Sequence, residues 1–175
     1  MAIIGGMSGP LAGAIGEGAS DVLAFLLNRN SPGADAMGEY SEGNTKGSRT
    51  HRYSLYPAAS SYADATQGEV HVDGEIYAAI MWDLLELYEA NGKSSDDLFA
   101  RWVDGMKSTP ATPKFEDMRD GMLASAEGTD EACLVWRAFA ARGVGVGATA
   151  TVKGKKVTIN ETFTLPAECP APPTP

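Results

Sequence analysis

The stretch that decides the fold is DGEIYAAIMWDLLELYEA, residues 73–90. Apolar side chains cover almost every face of this stretch when it is drawn as an α-helix. The other positions form a narrow polar stripe through Glu75, Trp82, Asp83, Glu86 and Glu89. A helix with so little polar surface is buried by its neighbours. We therefore expect a central helix over about residues 74–90, with Asp73 as its N-cap.

Helical periodicity and turn residues predict a mainly α fold around that helix. The other helices are expected at residues 11–28, from Ser94–Ser95 to about 106, from Thr112–Pro113 to 128 and from 129 to 142, and a β-hairpin at 148–152 and 156–159. Residues 1–169 are predicted to form one helical domain, and the proline-rich residues 170–175 an extended tail.

Residues 31–68 carry no sustained period and predict a long irregular loop. Loops of that length are uncommon in compact domains unless they are functional or disordered. The rings along it are those of Tyr40, His51, Tyr53, Tyr56, Tyr62 and, at its far edge, His71. Their number indicates an ordered loop that lines a site.

Composition excludes several classes of function. The net charge is −9, with 14 basic and 23 acidic residues, so we expect no nucleic-acid partner. Residues 2–14 are apolar but broken by glycines and a proline, so we expect neither a signal peptide nor a membrane span there. Cys133 and Cys169 show no metal-binding spacing, and whether they pair is left open. Asn160-Glu161-Thr162 is a glycosylation sequon if the chain is secreted.

Two stretches carry reactive side chains. Glu17 and Asp21 are four residues apart in the first expected helix, so they share a face. His71 immediately precedes the expected central helix. By themselves, paired acids are most often ordinary helix carboxylates, and a histidine before a helix most often bonds to the backbone.

Longer motifs resolve this ambiguity, because together they resemble the fungalysin-type zinc metallopeptidases, which are relatives of thermolysin. The run GPLAGAIGEGASD (residues 9–21) resembles the family's GxMGEGWSD segment, with Ala19 in place of tryptophan. MGEY (37–40), GSR (47–49) and YS (53–54) resemble its MGEW, GIR and YPYS motifs. EVH (69–71) and GE (74–75) resemble its EVHxxGEVWA motif, and residues 115–120, 132–145 and 163–169 resemble its terminal helices and ending.

The resemblance implies roles for four residues. Glu17 corresponds to the third protein ligand of the catalytic zinc, and Asp21 to a carboxylate that orients a zinc-bound imidazole. His71 corresponds to the histidine that donates to the oxyanion, and Arg49 to a guanidinium that holds the substrate backbone. Glu69 is expected to influence the His71 imidazole. The resemblance also implies secretion and a peptide or protein substrate.

The departure from the family is the absence of His-Glu-x-x-His, which supplies the other two ligands and the general base. His51 and His71 are the only histidines. We expect the helical C-terminal half of a metalloendopeptidase, inactive alone and unable to hold zinc tightly. We also expect an exposed apolar face that meets the missing half or a second copy. The alternative is a degenerate, non-catalytic relative that binds peptides or a partner. A third alternative, an unrelated activity, has no residues to support it.

Overall fold

The computed structural model describes residues 3–169, so the expected tail at 170–175 lies outside the described residues. Within that range the fold is mainly α, with six helices and one antiparallel hairpin. The helices are α1 (Pro10–Leu27), α2 (Glu39–Glu42), α3 (Val70–Ala90), α4 (Ser95–Lys107), α5 (Phe115–Ser125) and α6 (Glu131–Ala141), and the strands are β1 (Thr149–Lys153) and β2 (Lys156–Asn160).

Helix α3 is the centre of the fold, as expected, but it begins at Val70 and not near Gly74. The reason is its cap, because Glu69 Oε2 accepts the backbone N–H of Val72 at 2.9 Å. Asp73, the expected cap, is buried inside the first turn. Its carboxylate accepts the backbone N–H groups of Gln67 and Gly68 at 3.2 and 2.9 Å and so holds the end of the preceding loop. His71 therefore lies within the helix.

The polar stripe expected along α3 is only partly exposed. Trp82 and Glu75 are buried, with 3% and 2% of their surface exposed. Trp82 packs edge-on against Phe25 of α1, with ring centroids 5.1 Å apart. Glu75 is tolerated in the interior because its carboxylate accepts two hydrogen bonds from Thr50.

Helix α1 crosses α3 at unusually close range because both helices carry glycine at the crossing. A Cβ atom placed on Gly18 would lie 2.4 Å from the carbonyl oxygen of Gly74, and one on Gly74 would lie 2.5 Å from that of Ala14. Side chains on both helices are absent at this point, so the backbones touch. By length and hydropathy α1 is apolar enough to cross a membrane, but half of it is buried in the fold, as in a core helix.

Helices α4 and α6 pack on α3, and α5 packs on both α4 and α6. Ser94 caps α4 as expected, and Trp102 Nε1 donates to the buried Tyr77 hydroxyl at 2.9 Å. Helix α5 begins at Phe115, slightly later than the expected start at Thr112–Pro113. The backbone at Thr112 has a φ of 54°, which a helix cannot include.

The hairpin has the expected strands and turn, with Thr149 opposite Asn160 and Lys153 opposite Lys156. Beyond it the chain returns along α6. There Cys133 and Cys169 form a disulfide, which settles the pairing that the sequence left open.

The long loop between α1 and α3 is ordered by buried rings and ion pairs. Tyr53 and Tyr62 are 2% and 0% exposed, and Arg52 forms a two-pronged ion pair with Asp35. Tyr40 is different, because it is 98% exposed. Only some of the loop's rings therefore line the interior.

Candidate functional site

The α1–α3 crossing places Glu17 beside His71. Gly18 and Gly74 let the helices touch. Glu17, next to Gly18, and His71, one turn before Gly74, therefore become neighbours. His71 Nε2 lies 3.3 Å from Glu17 Oε2. Both side chains remain accessible, with 39% of Glu17 and 53% of His71 exposed. Both contacts of Glu17 in the described part of the chain are made by Oε2, and Oε1 makes no hydrogen bond there.

Arg49 comes from the long loop and joins the two acids of α1. Its Nε and Nη2 donate to the two carboxylate oxygens of Asp21 at 2.7 and 2.9 Å. Its Nη2 also lies 3.9 Å from Glu17 Oε2. The hydrogen bonds to Asp21 raise the pKa of the Arg49 guanidinium, so it is charged at every physiological pH.

Asp21 is buried and receives a third donor, the hydroxyl of Tyr53. Burial, followed by the Asp21 charge, raises the pKa of the Tyr53 hydroxyl, so this hydroxyl stays protonated and donates. A carboxylate has about four acceptor positions. Asp21 therefore keeps room for one more donor besides Arg49 and Tyr53.

Glu69 holds the other side of the His71 ring. His71 Nδ1 lies 2.7 Å from Glu69 Oε1, while the second oxygen of Glu69 caps α3. The hydrogen bond to Glu69, and then the charge of Glu17, raise the pKa of the His71 imidazole. The same hydrogen bond lowers the pKa of Glu69 to about 2. The result is a row of carboxylate, imidazole and carboxylate in which the charged imidazolium is favoured.

Glu75 lies next to the site, although the sequence motifs assigned it no role beyond its place on the polar stripe of α3 and in the GE motif. Its Oε1 accepts the backbone N–H of Thr50 at 2.8 Å, and its Oε2 accepts the Thr50 hydroxyl. Because Thr50 follows Arg49 directly, this contact fixes the loop that carries the guanidinium. The GE motif was a signal that Glu75 matters, but nothing in the sequence identified Thr50 as its partner.

The residues present fit one coordination position of a zinc ion but not a complete site. Zinc takes three protein ligands in catalytic sites and four in structural ones. Within residues 3–169 no group of three or more His, Cys, Asp or Glu side chains could hold a metal. Glu17 offers one accessible carboxylate oxygen, and His71 is held between two carboxylates.

The carboxylates, histidine and arginine at this crossing occur in a chain of the metallopeptidase class. The chain is a member of the fungalysin metallopeptidase family (M36), whose sequence profile matches residues 4–148. This membership relates it to zinc-dependent peptidases, which act on peptide or protein substrates.

Several curated extracellular metalloproteinases are similar to this chain. The chain is 33% identical to extracellular metalloproteinase 4 of Trichophyton rubrum and 34% identical to probable extracellular metalloproteinase 4 of Arthroderma benhamiae, with 90% of this chain and 28% of each relative aligned. It is 29% identical to extracellular metalloproteinase MEP of Leptosphaeria maculans, over 89% of this chain and 28% of the relative. The chain thus spans little more than a quarter of the length of the curated relatives it matches.

Proposed function

We propose that this chain forms one wall of the active site of a secreted zinc-dependent metalloendopeptidase, in which Glu17 is the third zinc ligand. The observation that carries the proposal is the meeting of Glu17, His71 and Arg49 at the α1–α3 crossing, within 3.9 Å of one carboxylate. Zinc bound there supplies Lewis acidity and lowers the pKa of a bound water. The free Oε1 of Glu17 is the atom that would contact it.

His71 acts as the donor to the oxyanion of the tetrahedral intermediate. Its Nδ1–H is directed to Glu69, so a neutral imidazole would present a lone pair at Nε2. Only the imidazolium donates from both nitrogens. The raised pKa of His71 supports this role, because it favours the imidazolium, which carries Nε2–H.

Arg49 and Asp21 complete the wall. Arg49 lies between the two acids of α1, where its guanidinium can hold the carbonyl groups of a substrate backbone. Asp21 anchors Arg49, and its remaining acceptor position suits the N–H of an imidazole that binds zinc.

Hydrolysis requires a second segment that supplies the other zinc ligands and the general base. The 175 residues contain no His-Glu-x-x-His, so this chain by itself hydrolyses no peptide and holds zinc weakly. An exposed apolar surface for that segment lies further along α1, towards its C-terminal end. Leu23 and Leu27 of α1, four residues apart on one face, are 40% and 69% exposed.

Secretion is supported by the disulfide between Cys133 and Cys169, because disulfides persist in oxidising compartments. The names of the relatives, which are extracellular enzymes, agree with it.

The test compares the chain alone with a fusion. In the fusion, the 175 residues follow a fungalysin segment that carries His-Glu-x-x-His, and zinc content and casein hydrolysis are measured for both proteins. We expect one zinc and turnover in the fusion, and neither in the chain alone. Glu17→Gln in the fusion should lose the zinc, whereas His71→Gln should keep it and lower kcat by about 10² to 10³.

Glu42→Gln is the matched control, since Glu42 is an exposed carboxylate of α2 outside the site. Stoichiometric zinc binding or casein hydrolysis by the chain alone would refute the proposal that a second segment supplies the other zinc ligands and the general base. Zinc retained by the Glu17→Gln fusion would refute the ligand assignment. A folded fusion that binds peptide without cleaving it would favour the non-catalytic alternative.

A further inference from the structure

The chain contains a single N-glycosylation sequon. Among its asparagines, only Asn160 is followed two places later by serine or threonine, in the tripeptide Asn160-Glu161-Thr162. Such a tripeptide is necessary for N-glycosylation but does not decide it. The position of Asn160 in the fold provides the further argument.

Asn160 is the last residue of β2 and points to solvent. Along the hairpin, side chains alternate between two faces. Val157 and Ile159 pack against the core, while Thr158 and Asn160 are exposed. The cross-strand neighbour of Asn160 is Thr149, which is also exposed. The Asn160 amide makes no hydrogen bond within residues 3–169, so a large group on its nitrogen displaces nothing.

The residues that follow Asn160 hold it at the surface. Glu161 Oε2 accepts the Ser61 hydroxyl at 2.6 Å and the backbone N–H of Ala63 at 3.0 Å. Thr162 donates its hydroxyl to the carbonyl oxygen of Val146 at 2.7 Å. The sequon is therefore fixed to the body of the protein on both sides of the backbone, with its asparagine outward.

The outer edges of the two hairpin strands differ in their hydrogen bonds to the rest of the protein. On β1, Glu116 Oε1 accepts the backbone N–H of Ala150 at 2.8 Å, and Lys114 Nζ donates to the Ala150 carbonyl at 3.3 Å. No described residue outside the hairpin makes a hydrogen bond to residues 156–160. Strand β2 is therefore an open edge, and open edges promote pairing between chains unless something blocks them.

We propose that Asn160 carries an N-linked glycan, which also protects the open edge of β2. This inference rests on the secretion stated in the proposed function. The Asn160 amide nitrogen forms a bond to the anomeric carbon of an oligosaccharide donor linked to a lipid pyrophosphate. The bond between that carbon and the phosphate oxygen breaks, the lipid pyrophosphate leaves, and the amide nitrogen loses one proton to a base.

The test expresses the full 175-residue chain behind a cleavable secretory leader in a eukaryotic host. Intact mass and peptide mapping are recorded before and after peptide N-glycosidase F, for chains in the medium and chains retained in the cells. We expect one glycan per chain, at Asn160, and conversion of Asn160 to aspartate when the glycan is removed. Asn160→Gln and Thr162→Ala should abolish the mass shift completely, and Thr162→Ser should keep it.

Thr162→Ser is the informative control, because it retains both the sequon and a hydroxyl for Val146. If Thr162→Ala misfolds, Asn160→Gln still tests the site, since the Asn160 side chain makes no hydrogen bond to a described residue that could be lost. A chain that forms the Cys133–Cys169 disulfide but leaves Asn160 unmodified overturns this proposal. It leaves the zinc peptidase proposal intact, which fails separately if the fusion binds no zinc.

The proposed protection of the β2 edge by the glycan is tested separately. After the glycan is removed enzymatically, or in Asn160→Gln, we expect light scattering to show faster aggregation on warming than for the glycosylated chain. Equal aggregation rates would overturn the protective role while leaving the modification in place.

Discussion

At the scale of single residues, the row Glu69–His71–Glu17 predicts a specific pH dependence. The pKa of His71 is raised above its ordinary 6.5, so the stability it contributes is full below about pH 6.5 and is lost as pH rises through the folded pKa. Glu69 behaves in the opposite way. Its pKa falls from 4.5 to about 2, so its contribution is present above pH 4.5 and is lost as pH falls towards 2.

An NMR titration of the imidazole Cε1–H signals checks this prediction. We expect His71 to titrate above 6.5 in the folded chain and Glu69→Gln to shift its pKa downwards. The remote variant Glu42→Gln should leave it unchanged, and His51→Gln identifies the second signal. A folded-state pKa of His71 at or below 6.5 would contradict the interaction of His71 with Glu69 and Glu17.

The ion pair between Arg49 and Asp21 predicts a large effect on stability. Their side chains are 13% and 7% exposed, so Arg49→Met leaves a buried carboxylate with Tyr53 as its remaining donor. Breaking such a buried pair costs about 3 kcal/mol of unfolding free energy. Urea denaturation measures it. The exposed pair Lys107–Asp104 is the control, and Lys107→Met should cost at most about 1 kcal/mol. Equal losses in both variants would contradict the buried character of the site.

Sequence motifs could single out individual residues of the candidate site but not the residues that contact them. Glu17, Asp21, Arg49 and His71 were identified by motif, and the structure brings them together. Their contacts depend on a crossing between segments far apart in the chain, which no local pattern encodes. Glu69 illustrates the limit, since aspartate is preferred over glutamate as an N-cap and Asp73 was therefore expected to cap α3. The longer side chain of Glu69 reaches the Val72 N–H instead.

At the scale of elements, the glycines of α1 are not equivalent. The helical periodicity of residues 11–28 did not distinguish Gly13, Gly16 and Gly18. The structure shows that Gly18 is required by the crossing with Gly74, whereas a Cβ on Gly16 would meet only the flexible end of Met7, at 3.7 Å. The periodicity that placed α1 and α3 could not show which glycine touches which helix.

This difference predicts opposite outcomes for two alanine substitutions. Gly18→Ala forces the helices apart and should lower the unfolding free energy by about 2 kcal/mol. It should also lower the pKa of His71, because Glu17 moves away. Gly16→Ala should raise stability by up to about 1 kcal/mol through helix propensity. Thermal denaturation and the His71 titration measure both effects, and a Gly18→Ala protein as stable as Gly16→Ala would disprove the close crossing.

At the scale of the whole molecule, the disulfide ties the last described residue, Cys169, to the first turn of α6. Its cysteines are 36 residues apart, so it closes a long loop that contains the hairpin. Replacing both cysteines by serine should lower stability by about 2 to 4 kcal/mol. Thermal denaturation with and without reductant checks it, since reductant should lower the Tm of the parent and leave that of the double variant unchanged. Free thiols in the oxidised parent would contradict the pairing.

The crossing of α1 and α3 also has a consequence for the nascent chain. Because synthesis runs from the N-terminus, α1 leaves the ribosome before the long loop and before any of α3. Until α3 follows, Leu11, Ile15, Val22 and Phe25 lack the contacts with α3 that help to bury all four in the finished fold. A nascent chain that ends before Val70 therefore carries the Glu17 carboxylate on an apolar helix that α3 does not yet cover. Such an intermediate exposes apolar surface, and the proposed active-site wall forms only when α3 packs on α1.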